Sequence, residues 1–284
     1  MDALRSVIQP ITHNLPAPIR DLGVSLIGPA CYSTLLLDVD LANQECLKLA
    51  ISKGLGVGII AASSVVKVPQ ILKISRSQSA EGLSFLSYLL ETIAYTIGLA
   101  YNVRSGFPFS TFGETVFIVV QNVVITFMIL KYSGREGSAF LFLGTLLAVV
   151  PALFLKDMVP MDILSYLQAG AGALGVAAKV PQIATVFSEG TTGQLSAFAV
   201  FNYLAGSLSR IFTTLQEVDD KLILYGFISG FALNLVLALQ MIYYWNAPSV
   251  KAKGKRKAAP IKAAESSATT SATPKKGPTT RRRG

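Results

Sequence analysis

Two lysines, Lys67 and Lys179, each open the same five residues, Lys-Val-Pro-Gln-Ile, 112 positions apart. An ammonium group at a helix bend suits a phosphate or carboxylate, although a lysine near a membrane surface can instead snorkel to the headgroups. Pro69 and Pro181 have no amide hydrogen to donate, and their rings clash with the carbonyls of Val65 and Ala177, so each marks a hinge or a fixed kink. Gln70 and Gln182 follow, placed to bond a freed carbonyl, to gate a mouth or to tie two helices. The same offset pairs Asn122 with Asn234. Amides there serve either a hydroxylated ligand or a plain interhelical bond. Glu91 stands mid-span in the second expected helix with no partner visible in the sequence, and its matched position holds Tyr203. It reads as a structural carboxylate paired with a lysine or as a proton-coupling group. Arg210 follows a charge-free run and suits bidentate phosphate contact, or pairing with Glu217 or Glu91. The candidate substrate contacts are therefore Asn122, Asn234, Glu91, Arg210, Lys67 and Lys179; the candidate hinges and gates are Pro69, Gln70, Pro181 and Gln182.

No catalytic residue is assigned. The lone histidine, His13, and two cysteines, Cys31 and Cys46, give no metal-ligand cluster. The common phosphate-loop, dinucleotide and nucleophile-elbow signatures are absent. The expectation is a non-enzyme with neither cofactor nor metal. Whether Cys31 and Cys46 pair is left open by the sequence.

The elements that position these residues are apolar. Of 284 residues, 51% are hydrophobic and 14% charged, against about 25% charged in a soluble domain. The net charge of +9 belongs to the C-terminus, since residues 247–284 carry eleven Lys/Arg and one acid while residues 1–246 sum to −1. A spanning helix needs about 20 mostly apolar residues. Runs of that kind predict seven transmembrane helices at about 49–73, 83–102, 113–132, 137–155, 162–187, 195–215 and 221–246, with hydropathy weakest in the first and fifth. Residues 22–37, interrupted by Pro29, are too short and read as an interfacial or bundle-packed segment. The basic tail predicts a cytosolic C-terminus and, across seven spans, a lumenal N-terminus. Its Ala/Ser/Thr/Pro composition predicts disorder.

Gly58 and Gly170, Leu83 and Leu195, Ser84 and Ser196, and Tyr132 and Tyr244 keep the 112-residue register. Duplication of a three-helix unit explains this. Three crossings invert the chain, so one extra helix is needed before the second unit points the same way. The expected fold is therefore an all-α membrane protein with two parallel three-helix repeats joined by a linker helix (3+1+3). The divisions are 1–46, a lumenal or interfacial segment; 47–134, the first repeat; 135–158, the linker; 159–246, the second repeat; and 247–284, the cytosolic tail.

The doubled Lys-Val-Pro-Gln motifs, each followed by Leu-Ser at the next helix, resemble the PQ-loop repeat family. That family includes SWEET-type sugar carriers, cystinosin-like transporters and the KDEL receptor fold. Longer strings narrow the likeness: Ser52 to Gly56, Lys73 to Ser84, Phe107 to Ser110, Gly193 to Ser196, Gly206 to Glu217 and Tyr244 to Ala247. They are similar to the mannose-P-dolichol utilisation defect branch, over about residues 44–248. The resemblance implies an endoplasmic reticulum protein that supports use of dolichyl-phosphate mannose and dolichyl-phosphate glucose in N-glycan precursor, GPI-anchor and mannosylation pathways. It implies dolichyl-phosphate sugars as the lipid partner, with ER glycosyltransferases alongside, and Asn122 and Asn234 as pocket contacts; the basic tail, without aromatics and directly after a span, predicts contact with anionic headgroups and no nucleic acid. The alternatives are a PQ-loop carrier of a free sugar or amino acid and a non-transporting receptor or adaptor.

Overall fold

The computed structural model describes residues 2–81, 83–192, 197–245 and 247, and their regular structure is helical. Two short helices, α1 (Asp2–His13) and α2 (Ala17–Tyr32), and a π-helical turn (Ser33–Leu37) precede the bundle. The bundle comprises α3 (Gln44–Ser63), α4 (Val68–Ser77), α5 (Phe85–Arg104), α6 (Phe109–Tyr132), α7 (Glu136–Phe154), α8 (Met161–Ala177), α9 (Val180–Glu189), α10 (Ala197–Glu217) and α11 (Lys221–Tyr243). The Leu195-Ser196 match, the Gly193 to Ser196 string and the basic tail lie outside the described residues.

The first and fifth expected spans are each two helices, broken immediately before the Val-Pro-Gln. In the first, the amide of Val68 bonds the carbonyl of Val65 at 3.1 Å, so the oxygen that Pro69 cannot serve is taken up by local tightening. In the second, Lys179 N bonds Val176 O at 3.1 Å. Gly190 ends α9 at φ +60°, a left-handed conformation that glycine adopts freely. Among the described residues, five segments are long and apolar enough to cross a membrane: 44–77, 109–132, 136–154, 161–189 and 221–243. The hydropathy expectation is thus corrected, because the weak members are α5 and α10 rather than the first and fifth rods. The reason is packing. Thr92, Thr96 and Tyr101 on α5, and Arg210, Thr213 and Thr214 on α10, are buried against other helices, so these two helices keep polar stripes off the lipid.

Within each repeat the third helix lies between the other two. In the first, α6 packs on α3 and α5; in the second, α11 packs on α8 and α10. On α6 the buried positions 121, 122, 125, 126, 129 and 130 form a two-residue-wide stripe recurring every four, the pattern of a helix covered on two sides. Between repeats, α5 packs on α8 and α10 on α3, so the second helix of each unit lies on the first helix of the other. Helix α7 rests on α5 and α6, and among the described residues its one buried position is Ala139.

The duplication is visible in the packing. One core cluster joins Ile74, Ile125 and Ile129 with Ile71 and Tyr88 around it. Another joins Val200, Leu237, Ala238 and Met241, with Ile183. Ile71, Tyr88, Ile125 and Ile129 become Ile183, Val200, Leu237 and Met241 at the 112 offset, different side chains filling the same places. Helices α3, α6, α8 and α11 all begin at one end of the bundle, called here the head end. There Tyr101 donates to Asp220 at 2.6 Å, and Ala100, Tyr101, Leu164 and Ile223 cluster. At the opposite, base end Gly190 lies by the Tyr244 ring.

The N-terminal segment packs on the bundle. α2 lies along α3, and a Cys31–Cys46 disulfide ties them, resolving the pairing that the sequence left open.

Helices α3 and α6 approach closely at Gly56, where an added Cβ would sit 2.5 Å from the Ser110 carbonyl oxygen. Gly58 has nothing within 4 Å. Gly56→Ala is expected to cost about 1–3 kcal/mol by forcing these helices apart and Gly58→Ala nothing comparable, read as the thermal unfolding midpoint of the purified protein in detergent.

Candidate functional site

At the base side of each repeat's kink, the lysine meets the asparagine of the third helix. Lys67 Nζ donates to Asn122 Oδ1 at 2.6 Å and to both Glu91 oxygens at 2.8 and 2.9 Å. It also lies 5.2 Å from the Tyr88 ring centre. Lys179 Nζ donates to Asn234 Oδ1 and lies 5.3 Å from the Tyr203 ring centre. The lysines therefore turn onto the third helix, which corrects the snorkelling alternative. Glu91 has the lysine partner that the sequence did not reveal. The Lys67 and Glu91 side chains stay 21% and 36% exposed, so this pair is not sealed in the core.

The two sites differ in how their amides are satisfied. Asn234 Nδ2 donates to Tyr203 O and Ser207 Oγ, both at 3.1 Å. Asn122 Nδ2 is buried with no hydrogen-bond partner. The first site is braced by Gln121, whose Oε1 accepts from Lys67 N at 2.8 Å and whose Nε2 donates to Ser63 O at 2.8 Å. Position 121 becomes Leu233 in the second repeat, so the second kink has no such brace. Gln121 replaces Gln70 in the carbonyl-bonding role expected at the bend. Pro69, Pro181 and Gln182 are exposed and Gln70 half-buried; among the described residues neither glutamine makes a side-chain hydrogen bond.

Arg210 does not join the Lys–Asn sites. It pairs with Glu114 of α6 and donates to Ser110 O at 3.1 Å, which corrects the expected pairing with Glu217 or Glu91. Glu114 and Asn122, eight residues apart on α6, are both turned inward, as their spacing suggested. Glu217 instead accepts from Ser52 at 2.5 Å, Lys53 at 2.6 Å and Ser110 at 2.8 Å. Lys53 also donates to Ser110 at 2.9 Å. This head-end cluster binds the end of α10 to α3 and α6, across one seam between repeats. Asp220 makes the matching tie across the other, capping α11 through Ile223 N at 3.0 Å while accepting from Tyr101. Ser52, Lys53, Ser110, Arg210 and Glu217 lie in three of the strings that carried the branch resemblance, but nothing in their spacing foretold that they meet.

Among the described residues no three His, Cys, Asp or Glu side chains converge to hold a metal ion. A shallow groove of about 600 Å³, lined by Pro69, Leu72, Lys73, Arg76 and Ser77, opens on the outer side of α4, away from the asparagines.

Removing one partner of a buried ion pair strands the other charge, a loss of about 3–5 kcal/mol. Glu217 is 4% exposed, so Glu217→Gln is expected to lower the thermal midpoint sharply and Lys53→Met/Glu217→Leu to recover much of the loss. Glu91→Gln, at the more open pair, is expected to be milder in the same measurement.

The PQ loop repeat family profile matches residues 51–111 and 163–223. The two matches stand in the register of the duplication, and each runs from the first helix of a unit into the third. Human "Solute carrier family 66 member 3" is 26% identical over 206 residues, which cover 71% of this chain and 96% of that protein. The chain is a multi-pass membrane protein with two stretches that match the PQ loop repeat, and it is similar over most of its length to a human protein named as a solute carrier of family 66.

Proposed function

We propose that this protein acts in the endoplasmic reticulum membrane in the use of dolichyl-phosphate mannose and dolichyl-phosphate glucose, by moving or presenting the lipid-linked sugar. The observation that carries the reading is the doubled lysine–asparagine pair. Each is set at a proline kink inside a spanning unit, where a cation and an amide face a polar headgroup and the lipid tail can stay in the bilayer. The strings that resemble the mannose-P-dolichol utilisation defect branch supply the choice of dolichol-linked sugars.

The layout is seven spans in the 3+1+3 order, with the head end lumenal and the base end cytosolic. Three observations support it. The seams join α5 to α8 and α10 to α3. The Cys31–Cys46 disulfide sits where α3 begins, at the head end, and disulfides persist in an oxidising lumen. Lys73, Arg76, Lys131 and Arg135 gather at the base end, from which the basic tail departs. The head-end ties across both seams suit a state closed to the lumen.

Transport of a small free solute is the second reading, favoured by the printed name of the human relative. Deleting the gene and profiling lipid-linked oligosaccharides separates the two. Shortened, under-mannosylated or unglucosylated precursors are expected, rescued by the wild-type chain and not by Asn122→Ala/Asn234→Ala. Full-length precursors in the deletion strain, with saturable uptake of a free sugar or amino acid by the purified protein in liposomes, would establish the solute carrier instead.

A further inference from the structure

The two lysine sites are equivalent in backbone and unequal in charge. Lys67 is neutralised by Glu91, which grips it through both oxygens. The residue matched to Glu91 is Tyr203, a neutral ring at 5.3 Å from Lys179. Asn234 gives Lys179 a dipole but no charge, and among the described residues no ion pair involves Lys179. Arg210 is compensated by Glu114 and Lys53 by Glu217, while Arg104, at the head end of α5, spends its charge on the carbonyls of Leu153 and Val159. A half-buried ammonium without a counter-ion, held in place by an amide and an aromatic face, is incomplete until an anion arrives.

The geometry points to Lys179, with Asn234 and Tyr203 around it, as the binding site for a single negative charge on the ligand, of phosphodiester or phosphomonoester type. This deepens the proposed function and rests on its placing of the lysines at the ligand. It assigns the phosphate to the second repeat and withdraws Lys67 and Arg210 from that role, because each already has its carboxylate. The same anion can come from a lipid-linked sugar phosphate or from a water-soluble one, and the experiment separates these sources.

Full-length protein in phosphatidylcholine nanodiscs is titrated with dolichyl-phosphate mannose, with mannose 1-phosphate and with uncharged dolichol. At least one phosphorylated probe is expected to bind and dolichol not to compete. Lys179→Gln is expected to weaken binding at least tenfold and Lys179→Arg to restore most of it. Tyr203→Glu is expected to match Lys179→Gln, because it rebuilds in the second repeat the counter-ion that Lys67 has in the first. Glu91→Tyr, which strips that counter-ion from Lys67, is expected to add a second anion site. Lys73→Gln, which removes a lysine on the outer side of α4, is expected to leave affinity unchanged. Retained affinity in both Lys179→Gln and Tyr203→Glu overturns the assignment, as does failure of every phosphorylated probe to bind. Lys179-dependent binding of mannose 1-phosphate alone keeps the anion site and removes the lipid-linked reading. Shortened oligosaccharides in the deletion strain, with no anion bound, do the reverse.

Discussion

A charge inside a bilayer needs a counter-charge close by, and that requirement organises this bundle. An isolated lysine or arginine at mid-span costs about 2.5–3.5 kcal/mol on insertion scales. Three interior cations meet the requirement with carboxylates from other helices: Lys53 with Glu217, Lys67 with Glu91 and Arg210 with Glu114. Two of these pairs cross from one repeat to the other, so neutralising the charges and joining the repeats are one event. The helices that carry much of this polar burden, α5 and α10, are also those whose hydropathy is lowest, and their place on the seams keeps the polar faces away from lipid.

The packing places the two repeats in a reciprocal embrace, with α5 on α8 and α10 on α3. The end of α10 and the turn that follows it fasten both seams at the head end. Glu217 reaches Ser52, Lys53 and Ser110, and Asp220 reaches Tyr101. The kinks before Pro69 and Pro181 lie closer to the other end. The first is braced by Gln121, while leucine stands at the matched position of the second. The head end is thus tied across both seams, and the two kinks differ in their side-chain bracing.

Much of the architecture was legible because it depends on local period and on repetition. The spans at 109–132 and 136–154 were read to within a few residues, since apolar runs of that length have few alternatives. The break before each Val-Pro-Gln followed from proline's missing donor. Asn122 and Asn234 were paired by register alone, and burial of both agrees with that pairing. The partners of Glu91 and Arg210 were not legible. Glu91 finds Lys67 across 24 residues, and Arg210 finds Glu114 rather than Glu217. Glu217, seven residues along the same helix, is drawn to α3 instead by Lys53 and Ser52.

By itself the sequence determined that the chain is duplicated at an offset of 112 residues, that its interior is helical and apolar, and that lysine, proline and asparagine recur in matched places. These follow from covalent chemistry and from periodicity, which act over one or two helical turns. Only the tertiary structure decided which carboxylate neutralises which cation, that Cys31 bonds Cys46, and that Gln121 serves one kink alone. Such pairings depend on which helix faces come within a few ångströms of each other, and distance along the chain does not set distance across a bundle.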